Sequence, residues 1–306
     1  MSQSQRHRPV GAAGRLYPKA MVYYSTATHY SVQKNIHLLG MPGIVIKTQP
    51  SGEMDYDDLT HALQMNRHLP AIILANIGTT MTEARDHVGQ IKQILKKNAV
   101  QQHYIHSDGA LSGGYSAFLE PRPSFDFKDG ADSIAISGHK FFGAPFPFGL
   151  VLVKKNNKDR IAKSVSYIGS RDTTITGSRN GLGPLFLWYR INTLGLEGLT
   201  KRVQHSLQMA AYAEQKLKQA GINAWRNLQT LTVVFPTPGE AVKLKWQLAS
   251  EEGWSHIICM PNVTKKQIDE FIADIIAEPK DETDKSKILF SAVDAVFSSE
   301  RGGVII

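Results

Sequence analysis

Apolar positions along the chain fall into short runs separated by polar, glycine-rich or proline-rich segments, and the runs follow two periods. Compact runs rich in β-branched residues predict strands at residues 21–25, 44–47, 71–76, 104–108, 133–137 and 150–153. Helical spacing of apolar residues predicts helices over 29–39 and 88–97. Strands that alternate with helices predict an α/β architecture, a mainly parallel sheet with helices on both faces. Ligands bind such sheets beyond the carboxyl ends of the strands. Three of the predicted strands end there in polar tips: Asn76-Ile77-Gly78-Thr79-Thr80, His106-Ser107-Asp108-Gly109 and Ser137-Gly138-His139-Lys140.

The texture changes near Leu199. A long amphipathic helix is predicted over 201–220 and is stopped by Gly221; strands follow at 230–235 and 255–260. A last helix starts at Thr264, where Thr264-Lys265-Lys266-Gln267 has the form of a capping box. These elements predict a smaller α+β unit. Residues 280–287 are charged, and no element is assigned beyond them.

With 306 residues, 42% of them hydrophobic, the chain has the material for one large domain or a large and a small one. No apolar run approaches the roughly 20 residues of a membrane-spanning helix, and no basic segment leads into an apolar secretory core. A cytoplasmic protein without a membrane partner is expected. The single cysteine, Cys259, excludes an intramolecular disulfide and a cysteine-built zinc site, and its apolar neighbours make it a core thiol. Most of the net charge of +8 lies at one end: Arg6, Arg8, Arg15, Lys19, Lys34 and Lys47, +6 in all, occur in a stretch, 1–52, without any acidic residue. The remainder is nearly neutral, so no nucleic-acid-binding face is expected. The acid-free start also has the composition of an organelle transit peptide but not its amphipathic pattern.

The candidate chemistry centres on Lys140, which sits between the 133–137 run and a Gly/Pro/Phe turn leading into 150–153. A lysine at the tip of a buried strand is costly unless it is paired, modified or at the lip of a cavity. An aldehyde cofactor would meet that need. Pyridoxal phosphate is held by a Schiff base to a lysine amine, and its ring nitrogen must stay protonated, which a buried carboxylate enforces. Asp108 ends another strand and is followed by Gly109 and Ala110, small enough for a flat ring to lie close. His29 begins a helix at a third strand end and offers an imidazole to stack. Ser137, His139 and the Gly78-Thr79-Thr80 turn offer groups to a phosphate. Taken alone, Asp108 reads equally as a helix cap and His29 as a capping or surface histidine. His106-Ser107-Asp108 is not a hydrolase triad, because neighbouring residues on a strand face opposite sides. His106 and Asp108 share a face but lack a third ligand, so no metal is expected.

The stretches THYSVQKNIHLLG, SGEMDYDDL, ANIGTTMTEARD, YIHSDGALSGG, SGHKFFGAPFPFGLVL, SRDTTITGSRNG and PLFLWYRI carry a further signal, continued by AGINAWRN, TVVFPTP and MPNVTKKQIDEFIADII. Through them the chain resembles the pyridoxal-phosphate-dependent group II amino-acid decarboxylases of the histidine and serine branch, from about Leu16 to Ala277. The resemblance implies the fold-type I, transferase-like architecture, with a large cofactor-binding α/β domain at 16–195 and a small α+β domain at 196–278. Residues 1–15 and 279–306 are unmatched. It implies that Lys140 is the Schiff-base lysine, Asp108 the pyridinium partner, His29 the stacking residue and Ala110 the contact on the opposite face. Thr80 and Asp86 would support the ring and the Asp108 network, Ser137 and His139 would lie near the phosphate, and Tyr167 would return a proton after carbon dioxide leaves. A homodimer is implied, acting on a small amino acid. The substrate would be L-serine, giving ethanolamine, or L-histidine, giving histamine, with FLWY and MPNVT closer to the serine members.

Two departures accompany the resemblance. Met1 to Gly14 does not match the family's upstream Gly-rich phosphate loop. An N-terminal segment is therefore expected to be lacking, at the cost of two or three charge-assisted hydrogen bonds of roughly 1.5–3 kcal/mol each. Leu182-Gly183 stands where a histidine and a small residue are usual. The alternative reading is a weak or inactive homologue that acts by pairing with a complete subunit. Another fold-type I activity is equally compatible with Lys140 and Asp108 alone.

Overall fold

The computed structural model describes residues 20–278 apart from residue 175. The basic segment 1–15 and the tail 279–306 lie outside the described residues. Six strands form one sheet: β1 (Met21–Ser25), β2 (Gly43–Ile46), β3 (Ala71–Asn76), β4 (His103–Asp108), β5 (Ser133–Ser137) and β6 (Gly149–Val153), in the order β2-β1-β3-β4-β5-β6. The first five strands of that order run parallel, and β6 closes the edge antiparallel to β5. This is the mainly parallel α/β sheet expected from the strand and helix pattern.

Helices α1 (Ser31–Leu38), α2 (Tyr56–Asn66) and α3 (Val88–Lys97) connect the parallel strands. α3 has the predicted bounds because its apolar stripe is complete: Val88, Ile91, Ile94 and Leu95 are all buried, in one core with Tyr23, Ile73 and Ile105. Its first turn is capped by His87, whose Nδ1 accepts from Gln90 N at 3.1 Å. α2 was not foreseen from spacing, since only Leu59 and Leu63 of its residues are buried. Its capping signal was readable: Asp55 Oδ1 accepts from Asp57 N and Asp58 N at 2.9 and 3.0 Å.

A short helix α4 (Lys155–Ile161) and a two-stranded ribbon, β7 (Lys163–Val165) with β8 (Ser170–Asp172), lead to the long helix α5 (Leu182–Gln219). The helix predicted from residue 201 thus begins earlier and is kinked at Gly195, whose φ of 59° and ψ of −172° are not helical. The second sheet, β10-β11-β9, is antiparallel and consists of β9 (Thr232–Pro236), β10 (Ser250–Glu251) and β11 (Trp254–Ile258). It packs with α5, α6 (Glu240–Trp246) and α7 (Lys265–Ala277) around Met209, Leu217, Phe235, Cys259 and Phe271. The Thr264 capping box is present: Thr264 Oγ1 accepts from Gln267 N, and Gln267 Oε1 accepts from Thr264 N. Cys259 is buried, as a core thiol should be, and burial pushes it up to about 12. A third cluster, Leu111, Tyr115, Leu119, Phe141, Val203 and Leu231, bridges the two sheets.

The return from β5 to β6 depends on Gly138. Its N–H donates to Phe148 O at 2.9 Å, and a Cβ at this position would stand 2.0 Å from the Phe148 ring. The same ring is hemmed by Gly183, where a Cβ would lie 3.1 Å away. Gly138→Ala therefore overpacks the crossover and should lower stability by about 1–3 kcal/mol; urea denaturation checks this, and an unchanged midpoint would contradict it.

Candidate active site

The parallel register brings the strand tips together. Asn76 of β3 is level with Asp108 of β4, and Asp108 is level with Ala135 of β5. Gly109 N donates to Ala135 O at 2.9 Å and Ser137 N donates to Ala110 O at 3.0 Å, so the chain beyond β4 stays laced to β5. The result is a cavity of about 370 Å³ at the carboxyl edge of the sheet. Lys140, Asp108, His29 and Ala110 line it, as do Ser137, His139 and Thr80. Residues separated by more than a hundred positions in sequence thus meet at one edge.

The strand carrying Lys140 is less enclosed than the sequence pattern suggested. Lys140 is half-buried, and its ammonium makes no hydrogen bond or ion pair among the described residues. It meets the lysine's requirement by standing at the lip of a cavity rather than inside a core. Asp108 Oδ1 accepts from Ala110 N at 3.3 Å, which leaves most of the carboxylate free to face the cavity. His29 Nδ1 lies 2.7 Å from Ser31 Oγ and accepts from Ser31 N at 3.3 Å. This contact with the first residue of α1 fixes the ring at the cavity wall. His139 is exposed, with Nδ1 3.4 Å from Phe148 O.

Two expected site residues stand elsewhere. Asp86 does not line the cavity and does not bond Asp108. It lies fully buried behind Asn76, accepting from Asn76 N at 2.6 Å, Asn76 Nδ2 at 3.1 Å and Met54 N at 2.8 Å. Tyr167 is 90% exposed and absent from the cavity lining, because the short turn that carries it, Ser166–Ile168, projects with the β7–β8 ribbon. Leu182 is likewise exposed and Gly183 is packed under Phe148, so neither reaches the cavity. Asn76 is a polar lining residue to which sequence reasoning gave no role, as is Ser31; the signal for Asn76 was its place at the polar tip of β3. His106 faces Ser133, Nδ1 to Oγ 2.7 Å, and burial holds its pKa below the ordinary imidazole value. No group of three metal-ligating side chains exists among the described residues. No described helix is long and apolar enough to cross a membrane.

The donor set fits a pyridoxal 5'-phosphate group: a free amine, a carboxylate facing it across the edge, an imidazole and a small Ala110 on the walls, and hydroxyls nearby. Fold and site together define a fold-type I protein of the pyridoxal-phosphate class. Residues 2–234 match the family described as the pyridoxal-dependent decarboxylase conserved domain. The chain belongs to that family and is a pyridoxal-phosphate-dependent carboxy-lyase; the matched span begins ahead of Leu16, where the resemblance was expected to start. Histidine decarboxylase of Mesorhizobium japonicum is 46% identical over 263 residues, covering 86% of this chain and 71% of that protein. Histidine decarboxylase of Morganella morganii is 44% identical, covering 86% and 70%. Among solved structures, the Q64A mutant of L-methionine decarboxylase from Streptomyces sp. 590 superposes with a TM-score of 0.76 at 24% identity, covering 86% of this chain and 73% of that one, a likeness of fold.

The carboxyl behind the site makes the fold sensitive to pH. Burial pushes Asp86 up from 3.8 to about 7 against the pull of its three N–H donors, with the nearby Glu53 charge adding to the rise. Between these values the native state keeps a proton that the unfolded chain releases. Stability from this group is full below about 3.8 and is lost as pH rises through about 7. Asp86→Asn should remove a fall of up to about 1.4 kcal/mol per pH unit across that window. Urea titrations of both proteins at several pH values check it; parallel profiles would contradict it.

Proposed function

We propose that the chain decarboxylates L-histidine to histamine, with Lys140 and Asp108 at the centre of the reaction. The observation that carries this reading is the convergence of Lys140, Asp108, His29 and Ala110 on one cavity at the sheet edge. The substrate rests on the names of relatives at 44–46% identity. Those relatives lend no support to serine, the other substrate that the resemblance implied.

When bound, the cofactor supplies an electron sink for the pair released as the Cα–carboxylate bond breaks. Lys140 would contribute the amine that holds it. Asp108 keeps a proton on the ring nitrogen, so that the ring can accept the electron pair. His29, pinned by Ser31, and Ala110 would hold the flat ring between them. Thr80 stands on the ring side of the cavity, and Ser137 and His139 contribute polar groups to the phosphate. A proton delivered to Cα completes the exchange of carbon dioxide for hydrogen.

Tyr167 is assigned to that proton delivery across a homodimer. Its exposure supports action outside its own chain's cavity. The first half of α5 supports a second copy as partner: Leu182, Leu185, Trp188, Tyr189 and Leu196 are exposed there, a patch unusual for a free surface.

The reading is tested by adding pyridoxal 5'-phosphate to the purified chain and recording its absorption spectrum beside that of Lys140→Ala. A long-wavelength imine band should form in the wild type alone, and carbon dioxide should be released from histidine in preference to serine. Asp108→Ala should keep the fold and lose turnover by a factor of at least about 100, since the ring proton would no longer be held. A folded wild type without the band, or Asp108→Ala working at the wild-type rate, would overturn the reading.

A further inference from the structure

The turn that walls the cavity hangs from a carboxylate that the chemistry above does not use. Glu83 is fully buried, with 0% of its surface exposed, and its φ of 54° lies in the left-handed region that a side chain other than glycine adopts at a cost. A buried charge in a strained backbone persists only where its surroundings hold it there. Here they do so from three directions. Glu83 Oε2 accepts from Leu231 N and Thr232 N, each at 2.8 Å, at the entry to β9 of the small sheet. Glu83 Oε1 accepts from Ser112 Oγ at 2.7 Å and from the hydroxyl of Tyr115.

Both ends of this bridge touch the cavity. On the Glu83 side, the turn is closed on itself: Glu83 N donates to Thr79 O at 2.9 Å, and Gly78 N and Thr79 N both donate to Ala84 O at 3.0 Å. Gly78 and Thr80 of that turn are cavity wall. On the Ser112 side, the segment begins at Asp108 and Ala110, also cavity wall. Ser112 fits beneath Gly78 so tightly that a Cβ on Gly78 would stand 2.4 Å from Ser112 Oγ. Neighbouring bonds tie the same parts together: Arg85 donates to Leu228 O at 3.1 Å and to Gln229 O at 2.8 Å, and Asn227 Nδ2 donates to Thr82 O at 2.9 Å. Glu83 reaches both cavity walls and the small sheet with one carboxyl group.

We propose that Glu83 is a positioning residue: its carboxylate fixes the Gly78–Thr80 wall and the Ala110–Ser112 wall against β9, and so sets the width of the cofactor cavity. The proposal rests on the reading of that cavity as the pyridoxal 5'-phosphate site. It makes the small sheet a part of the cofactor site's geometry although no residue of that sheet lines the cavity.

Glu83→Ala isolates the carboxylate, because alanine bears the same backbone strain. Glu83→Gln is the conservative partner: its carbonyl can take the two β9 amides, while the hydroxyls of Ser112 and Tyr115 turn to accept from its amide nitrogen. Hydrogen exchange is measured on wild type and both variants without added cofactor, and pyridoxal 5'-phosphate is then titrated by absorbance. In Glu83→Ala, exchange should quicken at 77–85, 110–115 and 231–232 while α3 and β1 keep their protection. Its cofactor affinity should fall by roughly 10- to 100-fold, the consequence of buried donors that have lost their acceptor. Glu83→Gln should recover most of both. Exchange that rises evenly over the whole chain, or titrations of wild type and Glu83→Ala that superimpose, would overturn the proposal. A wild type without the Lys140-dependent band overturns instead the reading of the cavity, an outcome distinct from a band-positive wild type whose variants bind equally.

Discussion

The parallel ladder from β3 to β5 is the constraint on which the rest of the molecule depends. Parallel pairing with residue-for-residue register puts Asn76, Asp108 and Ala135 side by side, and the next residues of each chain then emerge at the same edge. Hydrogen bonds fix that alignment, since a slip of one residue would turn every side chain to the other face. The reactive groups therefore need no long-range attraction for one another. Lys140 and Asp108 face a common space because the backbone that carries them cannot pair in another register.

An edge built in this way presents polar side chains, and the structure backs them with buried carboxyl groups. Asp86 holds Asn76 from behind, and Glu83 holds the turn beyond it. Each carboxyl group is enclosed but amply supplied with hydrogen-bond partners, the condition under which a buried polar group is tolerated. The two are separated by Ala84 and Arg85 and serve different neighbours: one braces the sheet, the other reaches across to the second core. The tight loop between Asn76 and Asp86 is thus the mechanical centre of the molecule, although it is neither helix nor strand.

Much of this was legible in the sequence, for reasons that differ between elements. β1, β3 and β5 match their predicted bounds because compact apolar runs end abruptly in polar or glycine residues. α3 matches because its buried stripe has the helical period throughout. α2 was missed since it buries only two side chains, leaving the Asp55 cap as its main signal. The seven expected residues found in the cavity lining were recoverable from strand-end polarity joined to family motifs. Asp86 stands behind the edge and Tyr167 projects on a ribbon, positions that motif order alone does not reveal. Glu83 could not have been found this way: its role depends on contacts with residues 231 and 232, far along the chain, and on a backbone angle that no spacing reveals.

That backbone angle has an evolutionary consequence. Glutamate and glycine codons differ by a single nucleotide, and glycine adopts the left-handed conformation of position 83 without strain. A descendant that exchanged one for the other would relax the turn while releasing the second core from it. Rigidity between the two halves of this protein is therefore one mutational step from being traded away, so a lineage could tune how firmly its small sheet grips the catalytic edge without altering a residue that meets the substrate.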